Sequence, residues 1–289
     1  MNETTARRRV GPPRVLTVER TERVSPHLVR VHLGGEDFAA FIGEADPARL
    51  TKTDKYVKLL FAKPELGLEP PYDLEALRER LPLADLPVRR TYTIRSIDAA
   101  TQTLAIEFVV HGDEGIAGPW AASAKPGDLL CFSGPGGVFE PSMNSLVPRL
   151  YLGDESALPA IAAALEATPA SAHGLVLLEV GSEADRIELR RPAGIEVRWL
   201  FREHADGSSA VHGTTLVAAA CELPAPEVTP EVFAHGERGA MKELRVLLHD
   251  TWGIERRALS LSAYWALGRA EDGFQAEKRN AAGQIFESD

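Results

Sequence analysis

The stretch RRTYTIRS, Arg89 to Ser96, carries three arginines, two threonines and a tyrosine in a segment that alternates like a β-strand. An ordinary surface strand gives its polar side chains to water, and solvated arginines satisfy that pattern. A second interpretation is that the arginines bind phosphate while the tyrosine lies against a flat ring, because arginine pairs bidentately with phosphate oxygens and aromatic rings stack on planar systems. The stretch alone leaves both interpretations open.

Composition describes an ordinary globular protein. The chain has 289 residues, of which 44% are hydrophobic and 26% charged, and this length predicts two domains. A formal net charge of −10 argues against non-specific binding to nucleic acid or anionic membranes. No apolar run approaches the roughly 18 residues of a membrane span, and no apolar signal region follows the basic cluster near the start. Together with two widely separated cysteines, these features predict a cytoplasmic protein without membrane insertion.

Short β-like runs dominate the chain from Val15 to about Cys131. They are separated by Gly, Pro, Asp and Asn turn signals, and they read RVLTVER, LVRVHL, KYVKLLF, RTYTIRS, TLAIEFVVH and DLLCFSG. This pattern predicts a small antiparallel barrel or sandwich. The proline-rich, charged segment 62–88 is predicted to be an excursion from it, with a short helix at LEALRERL.

The pattern changes after Met143. RLYLGD, GLVLLEVG, IEVRWLF, EVFAHG and ALSLSAYW are strand-like, whereas SALPAIAAALEA and ERGAMKELRVLLHDTWG have apolar residues at helical spacing. Strands that alternate with helices indicate a parallel sheet covered on both faces. We therefore predict an N-terminal antiparallel β-barrel domain, residues 1–145, followed by a C-terminal α/β parallel-sheet domain, residues 146–289.

Several common chemistries have no sequence signature in this chain. Eight histidines are scattered without HExxH or ligand-like spacing, so no metal site is predicted. Ser156 lacks the second glycine of a nucleophile elbow, and neither a Walker loop nor a GxGxxG fingerprint occurs.

The order of domains and motifs resembles a known group of flavoproteins. An R-x-Y-[ST] strand on a barrel, followed by an α/β domain, is similar to the ferredoxin reductases and matches here at Arg90, Tyr92 and Thr93. Four further stretches extend the match along nearly the whole chain: FVVHGDEGIAGPWAASAKPGD, YLGDESALPAIAAALE, GERGAMKELRVLL and SLSAYWALGRAEDG. With them the chain closely resembles the siderophore-interacting proteins, which are bacterial FAD-dependent ferric-siderophore reductases.

The resemblance implies an FAD site on the barrel. Arg90 would pair with the cofactor's diphosphate, for which a planar, permanently charged fork is suited. Tyr92 would lie against the isoalloxazine, and Thr93 would offer a hydrogen bond near its reactive N5 and O4 edge. Ile94 follows on the same strand, and Arg95 would support the phosphates or the adenosine.

The segment after the fifth barrel strand would complete this site. His111 and Gly112 match the family's HG pair and are expected beside the cofactor. Free amides at a helix start attract phosphate, so the turn at Gly115 and the following residues form a predicted diphosphate cradle: Ala117, Gly118, Pro119, Trp120 and Ala121. An ordinary turn before a capped helix is the alternative.

The second domain would bring a nicotinamide nucleotide, NADH or NADPH, to the flavin. The residues expected there by resemblance are Gly153, Asp154, Ser156 and Ala157, for which a well-capped alanine-rich helix is the structural alternative. Trp265 would belong to an aromatic lid in a C-terminal segment that returns to the flavin. Arg202 would meet a nucleotide phosphate or form a surface ion pair.

The implied reaction reduces Fe³⁺ in a ferric siderophore, which supplies its own metal ligands. Lys52, Lys55, Lys58 and Arg269 are the candidates for attracting an anionic chelate, and a solvated basic surface is the alternative. Two other functions stay open: a general NAD(P)H:flavin or quinone oxidoreductase, and a siderophore-binding carrier without catalysis. A ferredoxin donor is also open, and a monomer or weak homodimer is expected.

Overall fold

Six antiparallel strands close into a barrel in the first half of the chain. The computed structural model describes residues 13–112, 115–278, 280 and 283–286. The barrel strands follow one another around the wall in the order β1-β2-β5-β4-β3-β6. Their bounds are β1 (Arg14–Ser25), β2 (Leu28–Gly34), β3 (Tyr56–Phe61), β4 (Val88–Asp98), β5 (Thr103–Val109) and β6 (Leu129–Gly136).

The period-two pattern of these strands explains the barrel core. Alternate residues point inward, so each strand contributes apolar side chains to one interior while its other face stays outside. The buried interior includes Leu16, Val18, Val29, Val31, Leu33, Val57, Leu59, Ile94, Leu104, Ile106 and Phe108. The predicted antiparallel β domain is confirmed, and it is a closed barrel rather than a sandwich.

Four helices accompany the barrel: α1 (Asp37–Glu44), α2 (Pro47–Leu50), α3 (Leu74–Arg80) and α4 (Ala117–Ser123). Helix α3 is the one predicted in the excursion, and the side chain of Asp73 caps it by accepting hydrogen bonds from the amides of Glu75 and Ala76. Helices α1 and α2 were not predicted. Helix α1 packs Phe38 and Phe41 against the barrel core.

The second half is a five-stranded parallel sheet in the order β11-β10-β7-β8-β9. Its strands are β7 (Arg149–Gly153), β8 (His173–Val180), β9 (Gly194–Phe201), β10 (Glu231–Glu237) and β11 (Leu259–Trp265). The helices are α5 (Leu158–Ala167), α6 (Thr214–Cys221), α7 (Arg238–Arg245), which continues as a π-helical turn over Val246–Thr251, and α8 (Glu271–Glu277).

Both faces of this sheet are covered, as the α/β pattern predicts. Tyr151 and Val176 belong to a cluster with helix α5 and with Leu28 of the barrel. Leu152 and Leu177, on the opposite face, pack in a cluster with helices α6 and α7. The predicted parallel-sheet α/β architecture is confirmed. None of the helices in the described ranges combines the length and apolar character required to cross a bilayer.

Strand β4 changes partners half-way along its length. Val88 to Thr93 pairs with β3, whereas pairing with β5 starts at Ile94 and continues to Asp98. Strands β4 and β5 therefore diverge next to the arginine-rich motif. Helix α5 of the second half packs against β4 on the outside of the barrel.

Candidate functional site

A cavity of about 390 Å³ lies where β4 and β5 diverge. The barrel provides one wall through β3, β4 and β5, and the start of α5, the end of β11 and helix α8 provide the other. The structure brings together seven of the predicted site residues in these walls: Lys58, Arg90, Tyr92, Thr93, His111, Ser156 and Trp265.

Arg90 is the principal cation of the barrel wall. Its side chain is 16% exposed, and Nη1 donates a 2.7 Å hydrogen bond to the carbonyl of Arg89. Asp272 of helix α8 approaches the same nitrogen at 3.5 Å. That carboxylate is 68% exposed, so the ion pair is weak and an anionic ligand could replace it.

Tyr92 belongs to a group of three aromatic side chains, with Phe108 and Trp120, that extends into the barrel. Its ring centroid lies 4.5 Å from that of Phe108, which in turn lies 5.5 Å from Trp120. Burial raises the pKa of Tyr92 far above the ordinary value, so its hydroxyl stays protonated at neutral pH. Thr93 is buried, and Tyr264 of β11 lines the same cavity from the second half.

Two predicted cofactor residues on β4 have other tasks. The side chain of Ile94 is fully buried in the barrel core, so it cannot contact a ligand in the cavity. Arg95 forms hydrogen bonds of 2.9 and 2.5 Å with the Glu166 carboxylate of helix α5. Its guanidinium thus joins the barrel to the second half, and the binding of phosphates or adenosine by Arg95 stays a prediction.

The predicted diphosphate cradle does not line the cavity. Helix α4 begins at Ala117, and Ala117 and Ala121 are buried in the barrel core, as alternate turns of a packed helix require. Gly118 allows this close packing, because a Cβ there would lie 3.1 Å from the carbonyl oxygen of Val109. Trp120 packs beside Phe108, Gly115 precedes this short helix, and Pro119 lies in its first turn. His111 is exposed and Gly112 forms a left-handed turn beside it, while the two residues that follow lie outside the described ranges.

Asp154 is buried behind the second wall of the cavity and forms hydrogen bonds with several of its segments. Its carboxylate accepts hydrogen bonds from the Ser156 amide at 2.9 Å, the Glu237 amide at 2.8 Å and the Trp265 indole Nε1 at 2.8 Å. Burial, and secondarily the neighbouring Glu155 carboxylate, raises the pKa of Asp154 to about 6. Asp154 therefore fixes the turn that leads into α5 and positions Trp265, and its direct contact with the cofactor stays a prediction.

Gly153 and Ala157 also have structural roles. A Cβ on Gly153 would lie 2.8 Å from Ala157 Cβ, so the glycine permits α5 to pack closely on β7. Both residues are buried, and the close approach predicted for a ligand is made by a helix instead. Arg202 forms hydrogen bonds of 3.0 and 2.5 Å with Glu155, which agrees with the ion-pair alternative although the pair is largely buried.

The predicted chelate-binding cations are not one cluster. Lys58 faces the cavity, and burial lowers its pKa. Lys52 forms an ion pair with Glu140 at 2.5 Å, and Lys55 donates to the Lys52 carbonyl at 2.8 Å. Arg269 lies on the opposite half, paired at 2.7 Å with Glu277.

Some cavity residues were missed. Glu107 of β5 could have been found, because it is an acidic residue inside a run that is otherwise apolar and buried. Tyr56 of β3, Glu271 and Gln275 of helix α8, and Lys278 directly after this helix had no such signal, since nothing local shows that they meet β4. Within the described residues no group of three or more His, Cys, Asp or Glu side chains could hold a metal ion.

Two family models match the two halves. Residues 17–139 match the siderophore-interacting FAD-binding domain, and residues 148–268 match the siderophore-interacting protein model. A full-length relative, the ferric vibriobactin reductase ViuB of Vibrio cholerae, is 31% identical over 276 residues, covering 95% of this chain and 97% of ViuB. The chain belongs to the siderophore-interacting protein family. This confirms the resemblance inferred from the motifs.

Further comparisons agree with this family assignment. The NADPH-dependent ferric-chelate reductase of Escherichia coli is 34% identical over 200 residues, covering 66% of this chain and 72% of the relative. Among solved structures, the siderophore-interacting protein SipS of Aeromonas hydrophila superposes with a TM-score of 0.74 at 30% identity, covering 93% of this chain and 97% of SipS. A ferredoxin-NADP⁺ reductase from Plasmodium falciparum shares the fold, with a TM-score of 0.61 at 11% identity. The superposition covers 87% of this chain and 96% of the reductase.

The side chains of the cavity fit the FAD that the matched domain is named for. Arg90 and Lys58 supply positive charge for a diphosphate, and the Tyr92 ring supplies an apolar planar surface. Thr91 and Thr93 supply hydroxyls that both donate and accept.

Proposed function

We propose that this protein is a reductase that uses FAD to pass electrons from a nicotinamide nucleotide to Fe³⁺ in a ferric siderophore. The supporting observation is that Arg90, Tyr92 and Thr93 of the flavin motif line the same cavity as Trp265 of the α/β half. A cofactor in that cavity is accessible to groups from both halves. Two relatives, the ferric vibriobactin reductase of Vibrio cholerae and the ferric-chelate reductase of Escherichia coli, support the same activity.

Each cavity residue has a defined task in this proposal. Bound FAD would accept a hydride from the nucleotide and deliver electrons singly to iron. Arg90 neutralises the diphosphate, and Tyr92 excludes water from one side of the ring system. Thr93 donates or accepts one hydrogen bond at the ring edge, and Trp265 is held in its orientation by Asp154.

Iron needs no protein ligands in this reaction. The siderophore surrounds Fe³⁺ with hard oxygen donors, which bind Fe²⁺ less strongly, so reduction loosens the chelate. The protein has to hold the chelate near the cofactor. Lys58 is the cation in the cavity wall that suits an anionic chelate, and Lys52, Lys55 and Arg269 stay predictions for a more peripheral role.

The electron donor is proposed to be NADPH or NADH. In open α/β sheets, ligands bind outside the carboxyl ends of the strands, and the ends of β7 and β11 lead into Ser156 and Trp265 of the cavity wall. The name of the Escherichia coli relative favours NADPH. A ferredoxin is the alternative donor.

The remaining predictions complete the proposal. Residues 1–145 form the FAD-binding domain and residues 146–289 the nucleotide domain, and the two matched ranges support this division. The protein works in the cytoplasm as a monomer or weak homodimer. The described cysteines, Cys131 and Cys221, are free, as a reducing compartment requires.

A spectroscopic titration tests the proposal. The purified protein should be yellow or become so with FAD, and anaerobic NADPH or NADH should bleach the flavin band. Adding a ferric siderophore should restore the band while an Fe²⁺ chelator such as ferrozine turns coloured in proportion. A protein that binds no FAD contradicts the proposal.

The same titration separates the two other functions. A general flavin or quinone oxidoreductase would be reoxidised by free flavin or quinone but not by the ferric siderophore. A carrier would bind the ferric siderophore while its flavin stays oxidised in NADPH and NADH, or would contain no flavin.

A further inference from the structure

Glu107 is a buried acid in the wall of the cavity. Its side chain is 0% exposed, and its Oε1 accepts hydrogen bonds of 2.8 and 2.5 Å from Nε and Nη2 of Arg30. The second oxygen, Oε2, is buried and has no hydrogen-bond partner in the described part of the chain. The carboxylate is thus held through one oxygen, while the other oxygen is buried without a partner.

Such an unpartnered oxygen requires an explanation. A buried acceptor without a partner destabilises a protein, and more so when it is charged, so native structures rarely contain one without a reason. The nearest further cation is Arg95: its two Nη atoms bind Glu166, and its Nε, which is also buried without a hydrogen-bond partner, lies 3.9 Å from Oε1, too far for a hydrogen bond. A ligand donor in the cavity would satisfy Oε2.

The position of Glu107 limits which part of a ligand it meets. Ile106 and Ile94 are the last pair of the β5–β4 ladder, so Glu107 and Thr93, the next residues in the two strands, both lie at the point where these strands diverge, and both line the cavity. Arg90 is three residues further along β4, roughly 10 Å away at the rise of an extended strand. The cavity therefore has a cation for a diphosphate at one end and, near Thr93, a carboxylate that repels phosphate.

We infer that Glu107 is a further cofactor-positioning residue, whose Oε2 accepts a hydrogen bond from the flavin half of the cofactor. This inference rests on the proposed FAD function. The donors of that half are the ring N3–H and the ribityl hydroxyls, which FAD shares with riboflavin. With Arg90 attracting the diphosphate and Glu107 excluding it, the two charges fix the direction in which the cofactor enters.

Binding measurements on wild-type protein and Glu107→Gln test this assignment. Apoprotein is titrated with FAD and with riboflavin, following flavin fluorescence. The variant should bind both about tenfold more weakly, because a hydrogen bond to a charged acceptor is lost in each case. Two controls, Glu166→Gln and Glu22→Gln, each remove one partner of Arg95 or Arg30 without touching the cavity, and their flavin affinities should stay within about twofold of wild type.

Flavin analogues identify the donor. If N3–H is the donor, 3-methylriboflavin binds wild-type protein about tenfold more weakly than riboflavin, and Glu107→Gln does not distinguish the two. If a ribityl hydroxyl is the donor, methylation has no effect and lumiflavin, which lacks the ribityl chain, shows the loss instead. Either result supports the assignment.

Three results would overturn the assignment. Wild-type affinity in a folded Glu107→Gln protein excludes the hydrogen bond, and a loss for FAD without one for riboflavin places Glu107 against the adenosine half. If Glu107→Gln does not fold, Glu107→Asp keeps the charge but withdraws the oxygen, and unchanged riboflavin affinity then refutes the inference. Wild-type protein that binds no flavin refutes the proposed function instead, so the two failures are distinct.

Discussion

In the proposed function, Arg90 binds the diphosphate of the cofactor. We expect Arg90→Gln to weaken FAD binding by about ten- to hundredfold, because it removes charge-assisted hydrogen bonds to the diphosphate. Arg90→Lys should recover only part of the loss, since lysine lacks the planar fork. Riboflavin has no diphosphate and should bind both variants like wild type, in fluorescence titrations run in parallel.

The neighbouring Arg89→Gln provides the matched control for this prediction. Arg89 is exposed on the same strand and does not line the cavity, so its removal should leave FAD affinity nearly unchanged. An equal loss of FAD and riboflavin affinity in Arg90→Gln would mean that Arg90 maintains the shape of the cavity rather than binding phosphate.

The sequence predicted some residues of this cavity and missed others. Arg90, Tyr92 and Thr93 line the cavity. They were predicted because the arginine-rich strand pattern and the family resemblance both indicate these positions. The contact of Arg95 with Glu166 was not predicted, because the two residues are 71 positions apart and no local pattern indicates that contact. Glu107 was missed although one acidic residue in a buried strand is a visible signal.

At the level of elements, helix α8 decides how the cavity is closed. It is the next helix after β11 and contributes Glu271 and Gln275 to the wall, and Lys278 follows at its C-terminal end. Asp272 of the same helix approaches Arg90 at 3.5 Å. Because an anionic cofactor also requires that guanidinium, α8 competes with the diphosphate for it.

Replacing Asp272 should therefore strengthen cofactor binding. We expect Asp272→Asn to raise FAD affinity up to about fivefold, which corresponds to the 0.2–1 kcal/mol of an exposed ion pair. Titration calorimetry or fluorescence in low and high salt measures the change, and salt should reduce it. In the Arg90→Gln background the same substitution should have no effect, and a persistent gain there would show that Asp272 acts through helix α8 itself.

Elements with strong local periodicity were predicted well. The six barrel strands and the alternating second half have uninterrupted patterns of two or of about 3.6 residues, and these fix element type. Helices α1, α6 and α8 were not predicted. Each is short, at seven or eight residues, so tertiary packing rather than propensity determines whether it forms.

For the whole molecule, a few polar contacts join the barrel to the α/β half. Arg95 binds Glu166, and Nδ1 of His27 lies 2.8 Å from Oδ1 of the buried Asp185. Thr93 and Tyr264 line the cavity from the two halves. These pairs are far apart in sequence, so the order of the domains was predictable whereas the way they meet was not.

Asp154 makes the stability of the folded protein depend on pH. Its carboxyl is fully buried and accepts a hydrogen bond from Trp265, and burial raises its pKa. A folded-state pKa of about 6, above the ordinary 3.8, means that stability from this group is complete below about pH 4 and is lost as pH rises through 6. The difference corresponds to about 3 kcal/mol. Urea unfolding at pH 5 and pH 7 should show wild type losing stability over this interval relative to Asp154→Asn, which lacks the titrating carboxyl.

The Trp265→Phe variant separates this effect from other groups that titrate nearby. Burial lowers the pKa of His212, whose ring lies 5.0 Å from that of Trp265, so His212 does not produce a loss of stability centred near pH 6. Removing the indole donor deletes a hydrogen bond that favours the ionised Asp154, so the pKa rises further and the loss of stability moves to higher pH. Equal pH dependence in wild type and Asp154→Asn would contradict this account, because it would mean that Asp154 titrates alike in the folded and unfolded chain.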